Sequence, residues 1–181
     1  VSRSHSREAR HHTEFNRVDP PNMGAIAEVV KSSVWSPIIW KGGERKKANF
    51  GGSRIVALDF DKPGPYGLAE ALEFVREWGL AHVIGTTKSH QKRKVSPSGE
   101  IQPACDRFRL LFVARTWVKD LSTYEFNMTE AVEMFSCDPS CTDGARFFYP
   151  CQEIISHGPG HGDGRSWVWA PLPPDYLTAE E

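Results

Sequence analysis

Apolar and polar positions along the chain fall into short runs of distinct period. Asn22 stands before Ile26, Val29 and Val30 at helical spacing, which predicts a capped helix running to about Ser33. The apolar stretch Val34 to Trp40 is interrupted by Pro37 and predicts an edge strand. Lys41-Gly42-Gly43 turns the chain, and a basic loop follows to Gly52. Arg54 to Phe60 is a short apolar run rich in β-formers, predicting a buried strand that Pro63, Gly64 and Pro65 end. Leu68, Leu72, Val75 and Trp78 predict a helix over Leu68 to Trp78. Strands are predicted at Ala81 to Thr87 and Arg107 to Ala114, joined by a hairpin-like or mobile loop over Gln91 to Asp106 that contains Ser96-Pro97-Ser98-Gly99. A second long helix is expected over about Ser122 to Phe135. Strand fragments then follow at Ala145 to Tyr149, Ile154-Ile155 and Trp167 to Trp169. This order predicts an α+β domain, a small and mainly antiparallel sheet with helices against it. Residues 1–20, rich in His, Arg and Ser and ending in Asp19-Pro20-Pro21, read as a loose or disordered polar tail. The domain is expected over 21–175, with a short tail at 176–181.

Composition changes this picture little. Hydrophobic residues at 39% and charged residues at 25% are ordinary for a globular chain. No apolar run approaches the roughly 20 residues of a membrane span and no signal peptide opens the chain, so no membrane partner and a cytoplasmic location are expected. The net charge of −1 argues at first against a nucleic-acid partner. Its distribution argues the other way. Positive charge gathers in Arg3 to Arg17, Arg45-Lys46-Lys47, Lys88 to Lys94 and Arg107 to Arg115, as on a protein with one basic working face. Solvated charge on scattered loops accounts for the same residues. Cys105, Cys137, Cys141 and Cys151 read as free thiols. The loose spacing of Cys137, Cys141, Cys151, His157 and His161 speaks against a structural zinc site.

Four segments carry candidate chemistry. In Ile55 to Asp61, residues two apart share a side of the strand, so Asp59 and Asp61 lie together. Two carboxylates at the end of an apolar strand repel unless a cation sits between them, and hard oxygen ligands suit Mg²⁺ or Mn²⁺. A charged strand end entering a turn is the other reading. In Gly85 to Gln91, alternation places Thr86, Lys88 and His90 on one face and Thr87 and Ser89 on the other, with Lys88 and His90 suited to phosphate oxygens; a solvated strand end with an incidental His is the other reading. In Asp106 to Phe112, Arg107 and Arg109 lie together opposite Phe108, Leu110 and Phe112; one of these arginines is a candidate contact for nucleotide or template, and an ordinary half-exposed strand is the other reading. The fourth segment, Cys137 to Pro150, carries Asp138, Asp143 and Arg146 before an aromatic run. A capped helix end and a turn would explain it equally.

Taken together, these segments resemble the archaeo-eukaryotic primase superfamily, in particular the primase-polymerases of phages and plasmids. Ile55 to Asp61 resembles that family's apolar strand ending in Asp-x-Asp, and Thr86 to His90 its small-x-His segment. Cys137-Asp138 resembles its third acidic motif, with Arg146 where the family tends to place a phosphate-binding arginine. The lead-in from Trp35-Ser36-Pro37 through Arg45 to Asn49-Phe50 and the run Ala145 to Pro150 are also similar, so the resemblance spans about residues 33–156. Lys88 stands where the family often has Ser, with Ser89 adjacent, and Cys137 stands where an aliphatic residue is commoner. Asp143 rivals Asp138 as the third acid.

The resemblance implies an RRM-like palm sheet with an N-terminal α/β extension and a DNA primase or polymerase activity that uses two Mg²⁺ or Mn²⁺ ions. It implies Asp59, Asp61 and Asp138 as catalytic metal ligands, and Lys88, Ser89, His90, Arg109 and Arg146 as nucleotide- or phosphate-binding residues. The implied partners are a DNA template and NTP or dNTP substrates, with a helicase domain elsewhere in the full protein. The implied setting is a bacterial or phage-infected cell. A metal-dependent nuclease and a catalytically silent nucleic-acid-binding module are the competing classes.

Overall fold

The computed structural model describes residues 1–4, 13–95, 98–158 and 166–171. Its elements, in chain order, begin with β1 (Ser2–Ser4), β2 (Asn16–Arg17), α1 (Met23–Ser32), β3 (Val34–Ser36) and β4 (Ile38–Trp40). They continue with β5 (Phe50–Phe60), α2 (Leu68–Trp78), β6 (His82–Thr86), β7 (Lys94–Val95), β8 (Ile101–Gln102) and β9 (Phe108–Val118). α3 (Leu121–Phe135) and β10 (Glu153–Gly158) complete the order. The fold is α+β.

The central sheet has five strands in the order β10-β6-β9-β5-β4, and every neighbouring pair is antiparallel. β5 and β6 both run against β9, which lies between them, so β5-α2-β6 is a split β-α-β unit. Alternation along β9 divides the sheet into two faces. Phe60 stacks on Phe108 at 4.4 Å, and Phe112 meets Phe74 of α2 and Phe135 of α3, so the two long helices cover this face. The opposite side of the strands carries Asp59 and Arg109, and Arg109 lies over the Phe148 ring. Phe148 in turn stacks on Trp35 at 4.8 Å.

Several local expectations hold. The Asn22 side chain accepts from the Ala25 N–H and caps α1. Pro37, which has no N–H to give to a ladder, divides the predicted edge strand into β3 and β4. α2 has the predicted bounds and ends on Gly79 in the left-handed conformation, where a glycine costs least. The linker between β6 and β9 contains the small hairpin β7-β8.

Other segments differ from expectation. Of the expected loose tail, residues 5–12 lie outside the described residues, but its described ends are paired. β1 adds to both β2 and β3, and Phe15 is buried with its ring edge-on to Trp40 at 4.8 Å. Val1 is buried as well, so two apolar anchors and the strand pairing dock a polar segment. Ala145 to Tyr149 is no strand; only Phe148 forms a bridge, to Trp35. Its carbonyls are taken by side chains instead, that of Arg146 by Ser36 Oγ and that of Ala145 by Arg45. Near the C-terminus Trp167 bridges Ala114 and stacks on Phe112, whereas His161 and residues 172–181 lie outside the described residues.

Candidate active site

The antiparallel register of β5 and β9 sets Asp59 directly opposite Arg109, and Arg109 opposite Gly85 of β6. Two residues further, Asp61 meets Arg107 in the same sense, Nε to Oδ1 at 3.7 Å. The Asp-x-Asp pair on one strand end therefore faces an Arg-x-Arg pair on its neighbour. Gly85 leaves the third place in the row open, and Cys151 fills it. A Cβ on Gly85 would stand 2.8 Å from Cys151 Sγ.

Asp138 is brought in by the backbone. Its N–H donates to the Asp59 carbonyl at 2.9 Å, and its carboxylate caps the turn at Pro139–Thr142 by accepting from Ser140 N–H and Oγ. The buried thiol Cys141 in that turn accepts the Asp59 N–H at 3.2 Å. Arg146 then joins the acids. One nitrogen of its guanidinium lies 3.4 Å from Asp59 Oδ2 and 3.4 Å from Asp138 Oδ2. Asp143 turns elsewhere, accepting from Ala145 N–H and pairing with Lys47 at 3.5 Å.

Asp59 is the electrostatic centre of the group, with 7% of its surface exposed. Burial pushes its carboxyl above the ordinary range; Arg109 and Arg146 pull it back, while Asp61 and Asp138 add to the rise. Arg109 Nε lies 3.3 Å from Asp59 Oδ1, close enough for attraction. The pair is misaligned for a hydrogen bond, and neither atom has a hydrogen-bond partner among the described residues. A buried carboxylate oxygen without a donor is a costly arrangement that a bound cation would relieve.

The predicted phosphate-binding segment is placed differently from expectation. β6 stops at Thr86, and Lys88, Ser89 and His90 lie in a turn closed by the His90 N–H on the Thr87 carbonyl. Strand alternation therefore does not govern them. Lys88 is exposed, while Ser89 and His90 are half-buried. His90 Nδ1 accepts the Arg107 backbone N–H at 3.2 Å, which leaves Nε2 as the protonated nitrogen of the neutral ring. Arg107 ties this turn to the acids. Its side chain is fully buried, and it donates to the carbonyls of Asp61, Ser89, Lys92 and Pro103 at 2.9, 2.9, 2.6 and 3.0 Å. Arg109 is also buried; it donates to the Tyr149 carbonyl and acts as an internal partner of Asp59.

Two clefts flank these residues. One, of about 230 Å³, is lined by Asp61, Tyr66, Cys137 and Asp138, and the other, of about 250 Å³, by Arg45, Asp59, Arg109, Arg146 and Tyr149. Arg146, bridging Asp59 and Asp138, links their linings. Among the described residues no three Asp, Glu, His or Cys side chains gather closely enough to hold one ion. The carboxylates of Asp59 and Asp138 converge on the Arg146 guanidinium, and that of Asp61 pairs with Lys94. Their hard oxygens and the orphaned Asp59 Oδ1 fit a divalent cation in chemistry, with arginine and lysine nitrogens standing between them. Sequence reading missed Lys94 and the clamp made by Arg107. The basic run Lys88 to Lys94 was the one signal, and it does not say which lysine meets an acid.

The four cysteines are free, with Cys141 and Cys151 buried. Among the described residues no helix is long and apolar enough to cross a membrane.

No protein-family profile matches the chain, and no curated protein matches it. Among solved structures the chain is similar to the AEP domain of the primase-polymerase of cyanophage S-2L, at 11% identity and a TM-score of 0.44. That match covers 81% of this chain and 68% of the other.

Proposed function

We propose that this chain is a template-directed nucleotidyltransferase, a primase-polymerase core that joins nucleotides on a DNA template. The observation that carries this reading is the placing of Arg146. It reaches Asp59 and Asp138 with one nitrogen, so a guanidinium suited to phosphate oxygens and two acids from distant segments share one point.

Asp59, Asp61 and Asp138 would hold two Mg²⁺ or Mn²⁺ ions. When bound, such ions lower the pKa of an attacking 3′-hydroxyl and stabilise the departing pyrophosphate. The chain's own residues bind and orient. Arg109, fixed by the Tyr149 carbonyl, holds Asp59 in line with its strand. Arg146, released from the carboxylates, is placed to take phosphate oxygens as charge develops on them. His90 offers its Nε2–H, and Ser89 and Lys88 flank it on the same turn. The Arg107 clamp keeps that turn beside Asp61. No protein nucleophile is needed. A nuclease has no triphosphate to hold, so the cations around the acids favour synthesis over cleavage.

Incubation with a primed template, labelled dNTPs and Mn²⁺ tests the proposal. Labelled extension that falls about a hundredfold or more in Asp59→Ala and Asp61→Ala supports it. Extension retained in both variants overturns the metal site, and template degradation in place of extension points to a nuclease.

A further inference from the structure

Lys94 has no part in the chemistry described so far. It opens β7, and its ammonium pairs with Asp61 Oδ2. The β7-β8 hairpin belongs to neither larger sheet, so its position depends on its anchor. That anchor is Arg107. By donating to Lys92 and Pro103 as well as to Asp61 and Ser89, its buried guanidinium ties both ends of the hairpin to the backbone of the acid that Lys94 pairs. An ordinary surface lysine samples many rotamers around a mobile backbone. The backbone of Lys94 lies two residues from a clamped carbonyl.

Among the described residues four cations pair with the three acids. Arg107 and Arg109 are buried and donate to backbone carbonyls, so they are fixed. Arg146 already belongs to the proposed phosphate set. Lys94 is the cation built to leave, with its side chain 36% exposed, a flexible four-carbon stem and a single charged end on Asp61.

We infer that Lys94 is a resident counter-ion of the metal site: it neutralises Asp61 in the ion-free site, yields that carboxylate to a divalent cation, and then turns its ammonium to the triphosphate of the incoming nucleotide. The inference rests on the reading of Asp59, Asp61 and Asp138 as metal ligands. An ammonium and a divalent ion repel when both approach one carboxylate. The displaced ammonium stays tethered within a side-chain length of Asp61, where an anionic triphosphate is its natural new partner. Two opposite effects follow. Lys94 weakens metal binding in the absence of nucleotide and strengthens nucleotide binding once metal is present. A lysine that served only to hold the hairpin would shift both in the same direction.

The test uses the whole chain. Mn²⁺ binding without nucleotide is titrated by electron paramagnetic resonance of the free ion. Binding of a non-hydrolysable dNTP analogue at saturating Mn²⁺ is then measured by calorimetry. In Lys94→Met, Mn²⁺ is expected to bind about tenfold tighter and the analogue about tenfold weaker. Lys94→Arg, which keeps the charge and can fork onto the carboxylate, is expected to bind Mn²⁺ no tighter than the unsubstituted chain and to retain most of the affinity for the analogue. Unchanged or weaker Mn²⁺ binding in Lys94→Met overturns the inference. Asp59→Asn separates the two readings in the same titration. If it abolishes Mn²⁺ binding while Lys94→Met matches the unsubstituted chain, the acids hold the ion and only the role of Lys94 falls. If the unsubstituted chain binds no Mn²⁺, the reading of the acids falls and the inference falls with it.

Discussion

The backbone N–H of Asp138 donates to the carbonyl of Asp59 at 2.9 Å. This bond joins the end of β5 to the segment after α3, and because it is made by main-chain atoms it survives replacement of either side chain. Asparagine caps a turn about as well as aspartate, so Asp138→Asn preserves the fold around Ser140 while removing the charge. Extension activity is expected to fall at least about a hundredfold in Asp138→Asn. Asp143 faces Lys47 and caps its own turn, so Asp143→Asn is expected to stay within about threefold, as surface changes do. Primer extension of the two variants side by side checks the assignment. A larger loss in Asp143→Asn would exchange the roles of the two acids.

Asp59 is destabilising in its ionised form. Burial raises its carboxyl above the unfolded value, so between the two values the folded state binds the proton that the unfolded state has released. Stability therefore falls as pH rises through that window, and above it the full cost of the buried charge is present. Asp59→Asn mimics the protonated form. Without metal, its melting temperature is expected to exceed that of the unsubstituted chain at neutral pH, with the gain shrinking as pH falls toward the ordinary aspartate value of 3.8. Mn²⁺ is expected to reverse the order, because it binds and stabilises the ionised site alone. Thermal melts across pH, with and without Mn²⁺, measure both effects.

The ease of reading Asp59 and Asp61, and the difficulty of reading Lys94, have one cause. A strand has a fixed period of two, so two acids two apart in an apolar run share a face wherever the strand pairs. The row that pairs Asp59 with Arg109 needs a register between two strands, which the bare sequence does not state. Alternation carried past Thr86 puts Lys88 and His90 on one face, but the backbone turns there and the period ends. Ala145 to Tyr149 has the composition of a strand, yet its carbonyls are held by Ser36 and Arg45 from other segments. Phe15 shows the same limit, since the average polarity of a segment hides one aromatic that finds a partner in Trp40. Lys94 depends on the clamp of Arg107, a tertiary feature with no local trace.

That clamp makes Arg107 a structural residue beside the site. Its guanidinium satisfies four carbonyls from three stretches of chain, with no exposure to water that could replace it. Losing several buried partners at once makes Arg107→Ala expected to cost about 3–5 kcal/mol in urea unfolding. Arg107→Lys recovers only part of this, because an ammonium lacks the planar fork that reaches separate carbonyls. Limited proteolysis is expected to cut either variant first within residues 91–103, where the hairpin has lost its base. Cleavage spread evenly over the chain would show that the hairpin holds without the clamp.

Gly85 tests whether the row across the sheet is as closely packed as its geometry requires. A Cβ there would meet Cys151 Sγ at 2.8 Å, Cys151 Cβ at 3.0 Å and the Glu153 carbonyl at 3.2 Å. The sulfur can shift, but the backbone of β10 is hydrogen-bonded to β6 and yields less. Gly85→Ala is expected to cost about 1–3 kcal/mol by overpacking, read as a lower urea midpoint at unchanged slope. Cys151→Ala removes the nearest atom and leaves the other two contacts, so the double variant is expected to recover part of the loss. The strain also reaches the acids. Cys151 Sγ lies 3.9 Å from an Arg109 nitrogen, and Arg109 holds Asp59, so a displaced Cys151 moves the partner of the buried carboxylate. Mn²⁺ binding in Gly85→Ala is accordingly expected to weaken together with stability and to recover with it in the double variant. A stable Gly85→Ala chain with unaltered Mn²⁺ binding would mean that the row has slack and that Asp59 is not positioned through it.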